Sequence, residues 1–457
     1  MQHDRKGTRM RQRFGGRPGT WTSVLWLALA ALAVVPAAGA SSARRGAGVV
    51  TITCSACQNS PTDPFLQFNY QAVKQFNAKF KGRYKVKIVQ NPYAGSGPQR
   101  LQYYQRLALA NDLPDVFLLQ RSELQTLEGS GKLFNLAPAL AADKAWKRSF
   151  YPGSFAALTD AKGRIYAIPE ERDSIGIYYN KALFAKAGIS TFPATWAEFS
   201  DDCAKLKAAG VTCFAMDGNW VTLLMWANLI GTKPGGGTFL LSGTAQGNYA
   251  TNGSVVQATE FLKSLHTNGY VNADAFTGDY NNAATPFVQG QAAMIANGPW
   301  MVQSDIKGKN ASADLYSQIG YAPAPGWTAG SRGLIVVAGN GGWVSGTRDP
   351  AKQAALTAFL KFVSSPQLSL QQTLKTGAYP PVKLALSKAQ LAKLEPLAYK
   401  LVQQSAKVKF TYTDAYFATP AAFFQEWTND WPAYVQGGLS TGDFLGKLSA
   451  AATKTGA

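Results

Sequence analysis

Between residues 49 and 54 β-branched residues alternate as a strand requires, and behind them Phe65, Phe68, Val73, Phe76 and Phe80 recur on one face of a helix. Residues 84–90 predict a second strand, and residues 98–110 a helix that turns Leu101, Tyr104 and Leu107 inward. A third strand is expected over 115–119. Strands and helices alternating in this order predict a parallel sheet with right-handed crossovers. Ligands of such sheets gather beyond the carboxyl ends of the strands. That rule sets residues 54–59, 91–97 and 119–123 along one rim.

A second α/β pattern follows. Residues 164–168 and 175–179 read as strands, and Thr195-Trp196-Ala197-Glu198 reads as a capping box opening a helix. That helix presents Trp196, Phe199, Cys203 and Leu206 at helical spacing and stops at Gly210, and Cys213 closes the short strand after it. The Gly-, Ser- and Asn-rich span 233–254 reads as a long surface excursion. Further helices are expected over 255–267, 351–363 and 420–436. The chain shows no internal repeat.

The first residues change where the protein is expected to work. Arg5, Lys6, Arg9, Arg11, Arg13 and Arg17 precede an apolar run from Trp21 to Val35, and Ala38-Gly39-Ala40 supplies a small-x-small cleavage site. This is the order of a secretory signal over residues 1–40, and the run is short for a spanning helix. Cys54 and Cys57 lie too far downstream to carry a lipid at the cleavage point. An exported chain, periplasmic or at the cell surface, is the expectation.

The formal charge is +19, of which residues 1–47 carry seven units, leaving about +12. The remaining bases are scattered, densest over 81–87, without the basic stripe and interleaved aromatics of a nucleic-acid surface. His266 is the one histidine beyond the leader, so a histidine-dependent triad or multi-histidine metal site is hard to build. More than 400 residues beyond the leader suffice for two or more domains.

At GRIYAIPEERDSIGIYYNKALFAKAGI, residues 163–189, the chain resembles the extracellular solute-binding proteins of bacterial ABC importers, in the maltose-binding branch. LPDVFLLQ at 113–120, FPATWAEF at 192–199 and FVQGQAAMIANGPW at 287–300 agree with the family in order and spacing. The likeness covers about residues 48–450. It implies an α/β fold of two lobes, the type II periplasmic-binding-protein-like arrangement, closing on a solute about a hinge. The implied N-terminal lobe is 48–169 with 328–376, and the C-terminal lobe 170–327 with 377–457. Crossings are implied near 169–174, 324–331 and 375–381, spans that carry Pro, Gly or Ser. The implied function is capture of a monosaccharide or oligosaccharide and delivery to a membrane permease, by a monomer that needs no cofactor or metal and performs no catalysis.

A sugar site wants flat aromatic faces and a few polar groups for hydroxyls. Trp300 is the leading candidate, because Asn297-Gly298-Pro299-Trp300 matches the family motif whose tryptophan stacks on solute; the alternative is a core tryptophan at a strand end. Asp173 stands where the resemblance implies a hydroxyl-binding acid, and otherwise is a solvated acid beside Arg172. Gln120, Arg121 and Glu123 follow the third strand; Leu119 replaces the family's tryptophan there, which puts maltose itself in doubt. Gln58 and Asn59 match polar ligand contacts loosely. Further candidates are Asp217, Asn219 and Trp220, then Asn340, Gly341 and Trp343, then Asp414, Tyr416 and Phe424, each with packing or loop structure as its alternative.

Two rival functions remain open at the level of sequence. One is a glycoside hydrolase using Glu170, Glu171 or Asp173 as paired carboxylates. The other is the same fold holding a polyamine or a phosphorylated polyol.

Four cysteines allow three pairings. Cys203 with Cys213 would close a short helix-to-strand loop, a bond contributing about 2 to 4 kcal/mol. That leaves Cys54 with Cys57, as a structural disulfide, free thiols or a redox pair. A metal site expects a second ligand pair nearby, and the sequence has none.

Overall fold

Proline at the first helical position and an acidic cap start α1 (Pro64–Lys79), where the Asp63 carboxylate accepts from the backbone N–H groups of Phe65 and Leu66. The helix joins β1 (Val50–Cys54) to β2 (Tyr84–Ile88), which pair in parallel with Val50 opposite Tyr84. Its apolar face meets the helix Pro350–Val363, Phe76 lying edge-on to Phe359 at 5.2 Å. In this computed structural model the described residues are 48–453, except 62, 94–96, 152, 161, 245–246, 340, 377–378 and 406. The expected leader lies outside them.

α2 (Gly97–Leu109) leads to β3 (Phe117–Gln120), and Val116 just before it forms a parallel bridge with Cys54. β4 (Ala167–Pro169) belongs to the same layer. The second layer is built on β5 (Arg172–Asn180), with β6 (Thr212–Ala215), β7 (Ala292–Asn297), β8 (Ile319–Ala322) and β9 (Gly333–Ala338). β10 (Gly341–Val344) returns to the first layer and runs antiparallel between β3 and β4. β11 (Phe410–Tyr412) closes the second sheet, whose order is β11-β9-β5-β7-β6 with β8 also on β5. β5 is the shared spine: its first half pairs with β9 and its second half with β7 and β8.

The chain leaves the first sheet at Pro169 and enters the second at Arg172, so Glu170 and Glu171 occupy the first crossing. The second crossing differs from the span 324–331 implied by the sequence. β9 pairs with β5 and β11, so residues 333–338 belong to the second sheet, and the change comes between Ala338 and Gly341. The third differs as well. The Arg172 N–H donates to the Tyr379 carbonyl at 2.8 Å, the Tyr151 N–H to that of Pro381 at 2.8 Å and the Lys383 N–H to that of Ser149 at 2.8 Å, which sets Tyr379 beside the first crossing and keeps Pro381 to Lys383 against the first lobe.

Residues 233–254 are not the surface excursion their composition suggests. Leu240 and Tyr249 are fully buried, and Tyr249 stacks against Phe423 with ring centroids 5.5 Å apart. Turn-forming residues mark the bends, but the apolar anchors between them draw the segment into the core. The expected capping box is partly rearranged: the Thr195 hydroxyl accepts from the Glu198 N–H, while the Glu198 carboxylate accepts from Ala194 instead of Thr195. Cys213 sits within β6 rather than at its end. Disulfides join Cys54 to Cys57 and Cys203 to Cys213, and no cysteine is left free.

Candidate functional site

A cleft of about 720 Å³ opens between the two sheets, next to the Glu170–Glu171 crossing. Four local arrangements build its walls.

The first sets Trp300. β7 ends at Asn297, whose side-chain carbonyl accepts from the Gly298 N–H at 2.9 Å, while the Tyr178 hydroxyl donates to the Gly298 carbonyl at 3.0 Å. The indole of Trp300 lies over that glycine, where a Cβ would stand 2.2 Å from the ring. Glycine is therefore required for the ring to fold back and face the cleft, where it is half-buried.

The second arrangement sets Trp220. Asp217 is fully buried and accepts from the N–H groups of Asn219, Val221 and Thr222, capping the helix Trp220–Gly231. Burial pushes its carboxyl up to about 6 against those hydrogen bonds. Trp220, first in the helix, stacks on Tyr280 at 5.1 Å and tilts 57° from Trp300 at 6.2 Å. Tyr416 and Phe424 add an edge-on pair 4.9 Å apart.

The third is the start of α3 (Arg121–Glu128). The Glu123 carboxylate takes two bonds from Arg100, at 3.0 and 2.9 Å, and one from the Gln120 N–H at 2.7 Å. Glu123 lines the cleft, yet its oxygens are committed to holding Gln120 in place.

The fourth is acidic. Asp173 is 1 % exposed, lines the cleft, and neither of its carboxyl oxygens has a hydrogen-bond partner among the described residues. Burial, then the neighbouring Asp414 and Glu170, push its carboxyl up to about 7. Burial and Glu171 push Glu170 up to about 8, and Glu171 is likewise raised, by burial and then by Asp173 and Asp63. A smaller compartment of about 280 Å³ adjoins the cleft and shares Phe65, Gln120 and Glu171 with it.

These acids set a pH dependence. In the unfolded chain Asp173 and Glu170 ionise near their ordinary values of 3.8 and 4.5, whereas folded they keep their protons to about 7 and about 8. In that window the folded state binds more protons than the unfolded one, so stability falls as pH rises. Burial lowers His266 from 6.5 to about 4, and it acts in the opposite sense below 6.5. Thermal melts of the ligand-free protein from about pH 6.5 to about pH 8.5 should show a falling Tm, with a shallower slope in Asp173→Asn. A flat or rising Tm would contradict the buried acids.

Of the residues expected from sequence, Trp300, Asp173, Gln120, Glu123, Asn219, Trp220, Tyr416 and Phe424 converge on the cleft, and Gly341 lines the adjoining compartment. The others do not line it. Gln58 ties two rim loops together by bonding both backbone groups of Asn91, and Asn59 is exposed to solvent. Arg121 turns away on α3, its guanidinium lowered by burial. Asp217 and Asp414 are fully buried behind the wall. Trp343 is a core residue, packed edge-on against Phe359 at 5.7 Å, because alternation along β10 directs it toward the helix Pro350–Val363. Asn340 lies outside the described residues.

Sequence reasoning missed Phe65, Leu101, Gln102, Gln105 and Gln425, which also line the cleft. Phe65 and Leu101 were assigned to core faces, but both sit in the first turns of helices that begin at the sheet's rim. The spacing of Gln102 and Gln105 on the turn after Leu101 is the signal that was available.

The description of bacterial extracellular solute-binding proteins matches residues 59–368. Among curated relatives, the sn-glycerol-3-phosphate-binding periplasmic protein of Pectobacterium atrosepticum is 25% identical over 240 residues, 50% of this chain and 52% of that one. A putative binding protein of Brucella abortus is 27% identical over 183 residues, 38% of this chain and 41% of that one. The chain thus spans about half the length, or less, of these relatives. A solved chitin oligosaccharide binding protein superposes with a TM-score of 0.71 at 22% identity, over 88% of this chain and 98% of that one. A solute-binding protein in complex with raffinose gives 0.66 at 21%, over 89% and 100%. The GacH receptor of Streptomyces glaucescens, solved unliganded and with acarbose, gives 0.69 at 22%, over 89% and 98%. These likenesses show the shared two-lobed fold. Among the described residues no helix is long and apolar enough to cross a membrane. By its family match and its fold, the chain belongs to the bacterial extracellular solute-binding proteins.

Proposed function

We propose that the exported protein captures a carbohydrate between its lobes by hinge closure and delivers it, chemically unchanged, to an ABC permease. The observation that carries this reading is that the half-buried Trp300 face and the Asp173 carboxylate, which has no hydrogen-bond partner among the described residues, line the same cleft. Tyr416, Phe424 and Trp220 supply further flat faces, and Gln102, Gln105, Gln120 and Gln425 supply amide donors and acceptors. About 720 Å³ falls within the range of small-molecule sites. The solved relatives named as sugar binders share the fold. Contacts made to both lobes only when they meet would favour the closed form. The lobes are proposed to be residues 48–169 with 341–383, and 172–338 with the remainder of the described chain after a connecting stretch.

A phosphorylated polyol, suggested by the names of the curated relatives, fits less well. Among the described residues the lining holds a single base, Arg100, already engaged by Glu123. A phosphate would sit among acids. A hydrolytic role fits poorly too, since Glu170 and Glu171 lie on the crossing that must flex on closure.

A thermal-shift and calorimetric panel of mono- and oligosaccharides, with spermidine and glycerol phosphate alongside, tests the reading. A saccharide at a hundredfold its Kd should stabilise the protein by about 2.7 kcal/mol and be recovered intact. A shift by spermidine or glycerol phosphate, with none by any saccharide, would overturn it.

A further inference from the structure

The protein is strongly basic, +19 over the whole sequence, yet its cleft is not. Among the described residues, Asp63, Glu123, Glu170, Glu171 and Asp173 line the two compartments against one base, Arg100. Arg100 is bound to Glu123 by two hydrogen bonds, and Asp63 is occupied as the cap of α1. Glu170 keeps a hydrogen bond with Asn69 and feels Arg100 at a distance, but among the described residues only acids act on Glu171 and Asp173, and neither oxygen of the nearly fully buried Asp173 has a hydrogen-bond partner.

Carboxylates stripped of water and unpaired are costly, and two remedies exist: a proton or a counter-charge. Burial and the crowding of like charges push these carboxyls upward, in the direction of the first remedy. A neutral saccharide would leave these acids dependent on their protons as the cleft closes. An ammonium brings three donors and a positive charge to the same place, and the aromatic faces of Trp300 and Tyr416 tolerate it.

Resting on the carbohydrate reading above, the geometry points to a solute that is a saccharide carrying a protonated amine, its ammonium seated against Asp173 beside Glu170 and Glu171. On binding, the ammonium displaces the proton held by the acid cluster, and that proton leaves to solvent. No bond of the sugar is made or broken.

Calorimetry with three oligosaccharides of equal length tests this: glucosamine units, their N-acetylated counterparts, and glucose units. The amine form should bind about tenfold or more tighter than either neutral form, as expected of a charge-assisted bond. Repeating the titration at about pH 6.5 in two buffers of different ionisation heat should show protons released with the amine form only. Asp173→Asn should cost the amine form its advantage and its proton release; Glu171→Gln carries the same comparison if Asp173→Asn does not fold. Equal or weaker binding of the amine form, or an advantage that survives in both variants, overturns the amine assignment and leaves the carbohydrate reading intact. Binding of spermidine with no response to any of the three sugars overturns both.

Discussion

Replacing Trp300 by alanine is expected to weaken saccharide binding by about 2 to 4 kcal/mol, roughly 30- to 1,000-fold in Kd, while the ligand-free protein stays folded. The indole is half-buried, so part of its surface already serves the protein and the remainder faces the cleft. An aromatic side chain offers about 150–250 Å² of surface. Covering roughly half of that at about 25 cal/mol per Å² gives about 2 to 3 kcal/mol before any ring-to-sugar geometry is counted. The fold should tolerate the loss because the ring rests on Gly298 and Trp220 at the cleft edge, and is not among the fully buried side chains. Trp300→Phe should restore part of the affinity. Calorimetry with the best saccharide of the panel reads the result, and wild-type affinity in Trp300→Ala would remove the residue from the site.

Trp300 was legible because its placement is local. Asn297 binds the Gly298 N–H, and Gly298 leaves room for the ring, so four consecutive residues carry the instruction. The first βαβαβ unit was legible for the same reason: periodicity, the Asp63 cap and short connections all lie within the segment they shape. What failed was non-local. The span 328–376 was assigned to the first lobe by resemblance, and only the pairing of residues 333–338 with β5 and β11 gives them to the second sheet. That pairing moved the second crossing. Asp217 and Asp414 show another limit: an acid near a site in sequence can face the ligand or stand behind the wall, and burial alone separates the cases. Gln102 and Gln105 were missed because an amide on a helix defaults to solvent unless the opposing lobe is known.

Gly341 was expected from sequence as a ligand contact, and it lines the smaller compartment, but its geometry predicts a larger effect of another kind. Its φ is +126°, a backbone conformation that side chains disfavour, and an added Cβ would lie 2.1 Å from the Leu119 carbonyl oxygen and 2.7 Å from the Gln120 Cα. These are backbone atoms of β3, which pairs with the central strand β10, so no side-chain rotation relieves the overlap. Strain of about 1–3 kcal/mol and overpacking of about 1–3 kcal/mol add, and Gly341→Ala should lose about 3 kcal/mol or more of stability. Gly446→Ala is the control: it lies in the helix Thr441–Thr453 with nothing within 4 Å of the new methyl group, and should be neutral or slightly stabilising. Denaturant melts of the two variants separate the roles. If Gly341 served the solute alone, its alanine variant would lose affinity and keep its midpoint. A lowered midpoint without ligand instead identifies the close approach of β10 to β3 as what fixes Gln120 at the cleft edge, and makes any loss of affinity its consequence.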